Sequence, residues 1–89
     1  MKPIQIEVFS SPDCDRCSKV FDIVTAVVRD YGDDVAWRNV NVIAELDYAV
    51  ELGVISMPSI AIDGDLVFTS HPSARKLRDE IDARLRQEI

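Results

Sequence analysis

The chain has 89 residues, of which 47% are hydrophobic and 29% are charged. This length supports one hydrophobic core, so we expect a single domain over residues 1–89. Ten basic and sixteen acidic side chains give a net charge of −6, and Lys and Arg form no cluster. We therefore expect no binding to nucleic acid and none to an anionic membrane surface.

The first residues carry no recognisable targeting or membrane segment. Met1-Lys2-Pro3 runs directly into a segment of alternating apolar and polar residues, and no apolar stretch has the length of a signal peptide core or a membrane span. We therefore expect a cytoplasmic protein. In that reducing compartment, two cysteines indicate a reactive or metal-binding pair rather than a structural disulfide.

The first third of the chain predicts a strand followed by a helix. Apolar and other residues alternate over residues 4–9, as in a strand, and Ser10-Ser11-Pro12 ends it. From Cys14 to Tyr31 the apolar residues follow helical spacing, and Gly32 supplies a carboxyl-terminal cap. The first helix is therefore predicted to begin at the cysteines.

The middle of the chain predicts a second strand and a short helix. Residues 35–42 are rich in β-branched and aromatic side chains, whereas Asn39 and Asn41 favour an edge position in the sheet. Leu46, Ala49 and Val50 then mark a short helix that Gly53 ends.

The last third predicts a hairpin and a final helix. Strands at Ser59 to Asp63 and at Leu66 to Thr69 flank Asp63-Gly64, a dipeptide that favours a tight hairpin turn. An amphipathic helix follows from Pro72 to Leu85. The order β-α-β-α-β-β-α predicts an α/β fold with a four-stranded mixed sheet flanked by three helices.

Cys14 and Cys17 lie where a loop leaves the first strand and enters a helix. The first turn of a helix exposes unpaired N–H groups and the positive end of its dipole, which favour a thiolate at Cys14. A residue three positions further along is near enough to bond with it and lies towards the core. We therefore expect Cys14 to be the nucleophile and Cys17 the resolving thiol, with no cofactor.

The charges beside this pair act in opposite directions on the pKa of Cys14. Arg16 favours the thiolate, whereas Asp13 and Asp15 disfavour it. Our hypothesis is that the two carboxylates keep Cys14 less acidic than the helix terminus alone would make it.

Three other interpretations of the cysteines remain open at this point. They are two small buried hydrophobes, two ligands of a metal-binding module, or incidental residues of a partner-docking domain without turnover. A structural zinc site needs four ligands, and His71 is the one further soft ligand in the chain. We expect no bound metal, and we expect His71 to be a capping or surface residue.

A second motif, Met57-Pro58, precedes the third predicted strand. The order of elements, the CxxC pair and this Met-Pro step together resemble the thioredoxin-fold family, particularly its small thioredoxin- and glutaredoxin-like members, over nearly the whole chain. The resemblance implies a thioredoxin-like fold in which Pro58 is cis and faces the cysteines. It also implies that the backbone of Met57 pairs with the substrate chain.

The same resemblance implies an enzyme, a thiol-disulfide oxidoreductase that exchanges protein disulfides through a mixed disulfide and is recharged by a reductase. We expect it to be a monomer. The chain departs from the family in its Asp15-Arg16 dipeptide and in Val8, which stands where typical thioredoxins have a buried Asp. Residues 69–73 lack the Gly-Gly turn of glutathione-using glutaredoxins, so we do not expect glutathione to be a partner.

Overall fold

The computed structural model describes residues 3–12, 14, 16–70 and 72–87. The predicted order β-α-β-α-β-β-α is confirmed within these residues, and the ends of several elements shift by one or two positions. The strands are β1 (Ile4–Ser10), β2 (Val35–Asn41), β3 (Ser59–Ile62) and β4 (Asp65–Phe68), and the helices are α1 (Cys17–Tyr31), α2 (Leu46–Leu52) and α3 (Ala74–Gln87).

The four strands of the described residues form one mixed sheet in the order β2-β1-β3-β4. β1 pairs with β2 in parallel and with β3 in the antiparallel direction. β2 is an outer strand of the sheet, as Asn39 and Asn41 indicated. The connection through α1 makes the parallel β1–β2 pairing possible, because parallel neighbours need a crossover.

Helices α1 and α3 cover one face of the sheet. Valines at positions 20, 24 and 27 recur at helical spacing along α1, and all three are buried in one cluster with residues of β1, β2 and β3. Leu77 and Ile81 of α3 are buried in the same cluster. Helical periodicity therefore identified the inward side of both helices correctly.

Helix α2 covers the other face of the sheet. Ala49 packs there with Phe9, Val40 and Ala61, which are all buried. Alternate residues of β1 face the two clusters, so β1 is buried on both sides. The α/β layering expected from the sequence is confirmed.

The hairpin between β3 and β4 turns at Asp63-Gly64, as predicted. Both residues have positive φ, +50° and +85°, which a type I′ turn requires and which Asp and Gly accept most readily. Asp63 also bonds to β1: its N–H donates to the Gln5 carbonyl at 2.8 Å, and its Oδ1 accepts the Gln5 N–H at 2.9 Å. The turn thereby anchors the start of β1.

The start of the first helix differs from the prediction. α1 begins at Cys17 and its amino-terminal cap is Arg16, so Cys14 precedes the helix rather than opening it. The physical reason is a turn after β1, in which the Cys14 N–H donates to the Ser11 carbonyl at 3.1 Å. Helical hydrogen bonding starts only when the Val20 N–H donates to the Arg16 carbonyl at 3.3 Å.

A buried carboxylate joins β1, β2 and α2. Glu7 is 5% exposed and lies opposite Arg38 in the β1–β2 ladder. Its Oε2 accepts a hydrogen bond from Nη2 of Arg38 at 2.6 Å, and its Oε1 accepts a hydrogen bond from the hydroxyl of Tyr48. These bonds offset the cost of removing the carboxylate from water.

We predict that Arg38→Met lowers the free energy of unfolding by about 2 kcal/mol, because Glu7 then stays buried without its cation. Arg78→Met is the matched control: its pair with Asp30 is exposed on both sides, so the change should be within about 0.5 kcal/mol. Urea unfolding of the two variants measures both values. Equal losses of free energy of unfolding in the two variants would contradict the prediction, because the buried Glu7 pair would then stabilise the protein no more than an exposed pair does.

Both tyrosines of the chain are held as neutral phenols. Burial and a hydrogen bond to Asp82 raise the pKa of Tyr31 to about 12, and this bond joins α1 to α3. The hydrogen bond to Glu7, together with burial, raises the pKa of Tyr48 to about 12. An unperturbed phenol titrates near 10.

We predict that stability falls as the pH rises from about 10 to about 12. The folded pKa values lie above the unfolded ones, so the stabilisation is complete below pH 10 and is lost as the folded phenols ionise. Phenolate absorbance should rise with a midpoint near 12 in the folded protein and near 10 in urea. Tyr31→Phe and Tyr48→Phe assign the two titrations. A folded-state midpoint near 10 would contradict the prediction.

Candidate functional site

Three loops of the chain meet at one edge of the sheet. Ser10 ends β1 opposite Asn41, the last residue of β2, while Ser59 begins β3 opposite Phe9. The segment that follows β1 and the segment that precedes β3 therefore lie at the same edge. The third loop follows β2. It is held at this edge because the Val42 N–H donates a hydrogen bond to the Ser10 carbonyl at 2.9 Å.

The segment that follows β1 carries a disulfide between Cys14 and Cys17, whose Cα atoms are 5.5 Å apart. Cys14 is half-buried, whereas Cys17 is 3% exposed and belongs to the core. The expected placement of Cys17 towards the interior is confirmed. An attacking molecule can therefore reach Cys14 more readily than Cys17.

The electrostatics of the pair depend on the start of α1. Cys17 is the first residue of α1, and its bond to Cys14 holds the Cys14 sulfur beside the first turn, where partial positive charge collects. Arg16 is exposed beside the pair. Asp13 and Asp15 lie outside the described residues, so their effect on Cys14 stays a prediction.

The segment that precedes β3 contains a cis peptide bond between Met57 and Pro58, as the resemblance implied. Pro58 is buried, whereas Met57 is 38% exposed. Ile55, two residues earlier, is 92% exposed. A buried proline thus anchors a loop whose neighbouring apolar side chains are accessible.

Two serines around this peptide were not identified from the sequence. The hydroxyl of Ser59 donates to the Ser56 carbonyl at 2.6 Å, and the hydroxyl of Ser56 donates to the Thr69 carbonyl at 2.9 Å. They hold the loop to β3 and to the end of β4. Serines that flank a proline at close spacing are a usable signal, because short hydroxyl side chains bond readily to nearby backbone.

A third polar pair, Ser10 and Asn39, supports the base of the disulfide loop. The buried hydroxyl of Ser10 donates to Oδ1 of Asn39 at 2.6 Å. This bond explains why an edge strand carries Asn39. The sequence shows that Ser10 is a polar residue at the end of the first predicted strand and that Asn39 is one within the second. Whether their side chains meet depends on the register between β1 and β2, which the sequence alone does not give.

A metal-binding module would need further ligands close to the two thiols. No three side chains of His, Cys, Asp or Glu come together within the described residues. In that part of the chain such a module would have two thiols as ligands. His71, the further soft ligand of the sequence, lies outside it, and so do the carboxylates of Asp13 and Asp15 beside the thiols.

A family model described as "Thioredoxin domain" matches residues 4–82. The matched range includes the disulfide, the cis Met57-Pro58 bond and all four strands. The matched range ends at residue 82, within α3.

Two of the relatives match nearly the whole chain. A protein named thioredoxin from Methanocaldococcus jannaschii is 33% identical over 85 residues, which are 96% of this chain and 100% of the relative. A protein named probable thioredoxin from Methanothermobacter thermautotrophicus is 30% identical over 79 residues, covering 89% of this chain and 93% of the relative.

Solved structures support the fold. Thioredoxin 1 of Thermosipho africanus superposes with a TM-score of 0.76 at 18% identity, covering 94% of this chain and 97% of that one. A thioredoxin variant from Halobacterium salinarum superposes with a TM-score of 0.78 at 20% identity, covering 92% and 74%. The family model and the two relatives show that the chain belongs to the thioredoxin family and is a thiol-disulfide oxidoreductase.

Proposed function

We propose that this protein reduces protein disulfides, with Cys14 as the attacking thiol and Cys17 as the resolving thiol. The observation that carries the proposal is the unequal exposure of the bonded pair, with Cys14 half-buried and Cys17 in the core. A disulfide exchanger needs one accessible sulfur for its partners and one sheltered sulfur to end the mixed disulfide.

The exchange takes two steps. The Cys14 thiolate attacks one sulfur of the substrate disulfide, which forms a mixed disulfide and expels the other substrate sulfur as a thiolate. Cys17, after losing its proton, attacks the Cys14 sulfur and expels the second substrate thiolate. Two electrons pass to the substrate, and the Cys14–Cys17 disulfide remains. A dithiol reductase partner returns the two electrons through the reverse exchanges.

Met57 and Pro58 form the proposed substrate contact beside the thiols. Support comes from the strand pairing, because the loop that leads into β3 lies at the same edge as the loop that leaves β1. The exposed side chains of Met57 and Ile55 offer an apolar surface to a bound peptide. Arg16 is the proposed electrostatic aid to the Cys14 thiolate, opposed by Asp13 and Asp15.

The setting of the reaction is part of the proposal. In the described residues, no helix is long and apolar enough to cross a membrane. We place the activity in the cytoplasm, where reductases keep a dithiol carrier charged. We further propose that the chain acts as a single-domain monomer, and that protein disulfides rather than glutathione are its partners.

We predict that alkylation of the dithiol form modifies Cys14 well before Cys17, because the core shields Cys17. The measurement is brief iodoacetamide treatment after reduction, followed by mass spectrometry of the digested protein. Denaturation in urea before treatment is the control, and it should make the two cysteines equally reactive. Faster modification of Cys17 in the folded protein would reverse the proposed roles.

We predict that the protein accelerates insulin reduction by dithiothreitol and that Cys14→Ser abolishes the acceleration. Cys17→Ser should also stop turnover. When this variant is reduced, freed of dithiothreitol and mixed with insulin, it should accumulate a covalent insulin adduct, since it has no second thiol to resolve the mixed disulfide. Ser18→Ala, an exposed neighbour on α1, is the control and should keep full activity. Turnover that survives Cys14→Ser would overturn the proposal.

A further inference from the structure

Helix α2 exposes a line of apolar side chains on its outer side. Leu46 and Val50 are 59% and 66% exposed, and Ile43 in the turn before the helix is 68% exposed. Leu46 and Val50 are four residues apart, so they are neighbours on one side of the helix. Ala49, on the adjoining side of the helix, is buried against the sheet. We call these three exposed side chains the α2 ridge.

A row of carboxylates runs beside the α2 ridge. Asp47 and Glu51 are both exposed, and they share the four-residue spacing of Leu46 and Val50. Apolar and acidic side chains therefore lie side by side along two turns of the same helix. We call Asp47 and Glu51 the acidic row.

The ridge begins at the same edge of the sheet as the redox pair. Ile43 lies two residues beyond Asn41, which pairs with Ser10 at the end of β1, and Cys14 follows Ser10 by four residues. The neighbouring residue Val42 is bonded to Ser10 through its backbone. A molecule that lies along α2 would thus have one end at the edge of the sheet that carries the disulfide.

We propose that the α2 ridge and the acidic row together bind a cationic amphipathic helix of a redox partner, and that this contact selects which disulfides reach Cys14. The apolar side of such a helix would cover the ridge, and its Lys and Arg side chains would face the acidic row. The proposal rests on the proposed disulfide exchange and names the chemistry of the partner that this exchange prefers.

A second copy of this chain fits the surface poorly. Two α2 helices packed on each other would bring acidic rows together in proteins that each carry a net charge of −6. Three side chains also provide much less than the roughly 800 Å² per partner of a stable interface. A small, charge-assisted contact suits a partner that binds, exchanges a disulfide and leaves.

The test uses two disulfide peptides of equal length with the same cystine. One carries an amphipathic Leu/Lys arm, and the other carries the same arm with Glu in place of Lys. Because opposite charges attract and like charges repel across an exposed contact, kcat/KM at low salt should be roughly fivefold higher for the Lys peptide. Added salt should reduce this preference, because it screens exposed charges.

Variants assign the preference to α2. Asp47→Asn with Glu51→Gln should abolish the preference between the peptides, and Leu46→Ala with Val50→Ala should lower kcat/KM for both. The control, Asp22→Asn with Asp79→Asn, removes the same charge from exposed sites on α1 and α3 and should keep the preference.

Each contrary result has a distinct meaning. Equal kcat/KM for the two peptides, or a preference that the control abolishes as fully as the α2 variants, would overturn the docking proposal and leave disulfide exchange intact. Absence of turnover with both peptides would instead overturn the proposed function. Dimerisation that the Leu46→Ala with Val50→Ala variant abolishes, measured by sedimentation, would assign the ridge to a second copy and overturn the partner helix.

Discussion

Strand β1 is paired along both edges and packed on both faces, and the functional parts of the molecule take their positions from it. β2 runs parallel to β1 and β3 runs antiparallel. A parallel neighbour ends where β1 ends, whereas an antiparallel neighbour begins there. The disulfide loop, the turn before α2 and the loop with Met57 therefore meet at one edge. Three segments that are distant in the chain become neighbours through hydrogen bonding of one strand.

This central position places polar groups inside the protein. Glu7, Ser10 and Ser59 are the buried polar residues of the described chain, and each has a named partner: Arg38 and Tyr48, Asn39, and the Ser56 carbonyl. In that part of the chain, no buried side-chain nitrogen or oxygen atom lacks a hydrogen-bond partner. Because an unpaired buried polar group is costly, these bonds favour one arrangement of the strands over alternatives. The polar interior thus helps to fix the geometry of the redox edge.

Local sequence patterns predicted most of this architecture, and the errors have identifiable causes. Alternation in β1, helical spacing in α1 and α3, and the Asp63-Gly64 turn depend on near neighbours in the chain, and all were found as expected. The start of α1 depends on a competing turn closed by Cys14 and Ser11, and periodicity does not resolve such a competition. The partners of Glu7 and Ser10 lie 29 to 41 residues away in the chain, and their positions depend on the register between strands. The family resemblance supplied the cis bond before Pro58, which no local pattern would have indicated.

The pairing of β1 also determines how the protein opens on slow timescales. An amide in β1 can exchange its hydrogen with solvent only after a neighbouring strand separates, which amounts to unfolding the sheet. The amides of Ser11, Cys14 and Arg16 and those of residues 53–57 lie outside the strands and can exchange through local opening. We therefore expect interconversion of disulfide and dithiol to alter hydrogen exchange in these segments and to leave hydrogen exchange in β1 unchanged. The strand that positions the reactive groups is also an internal standard against which their motion can be measured.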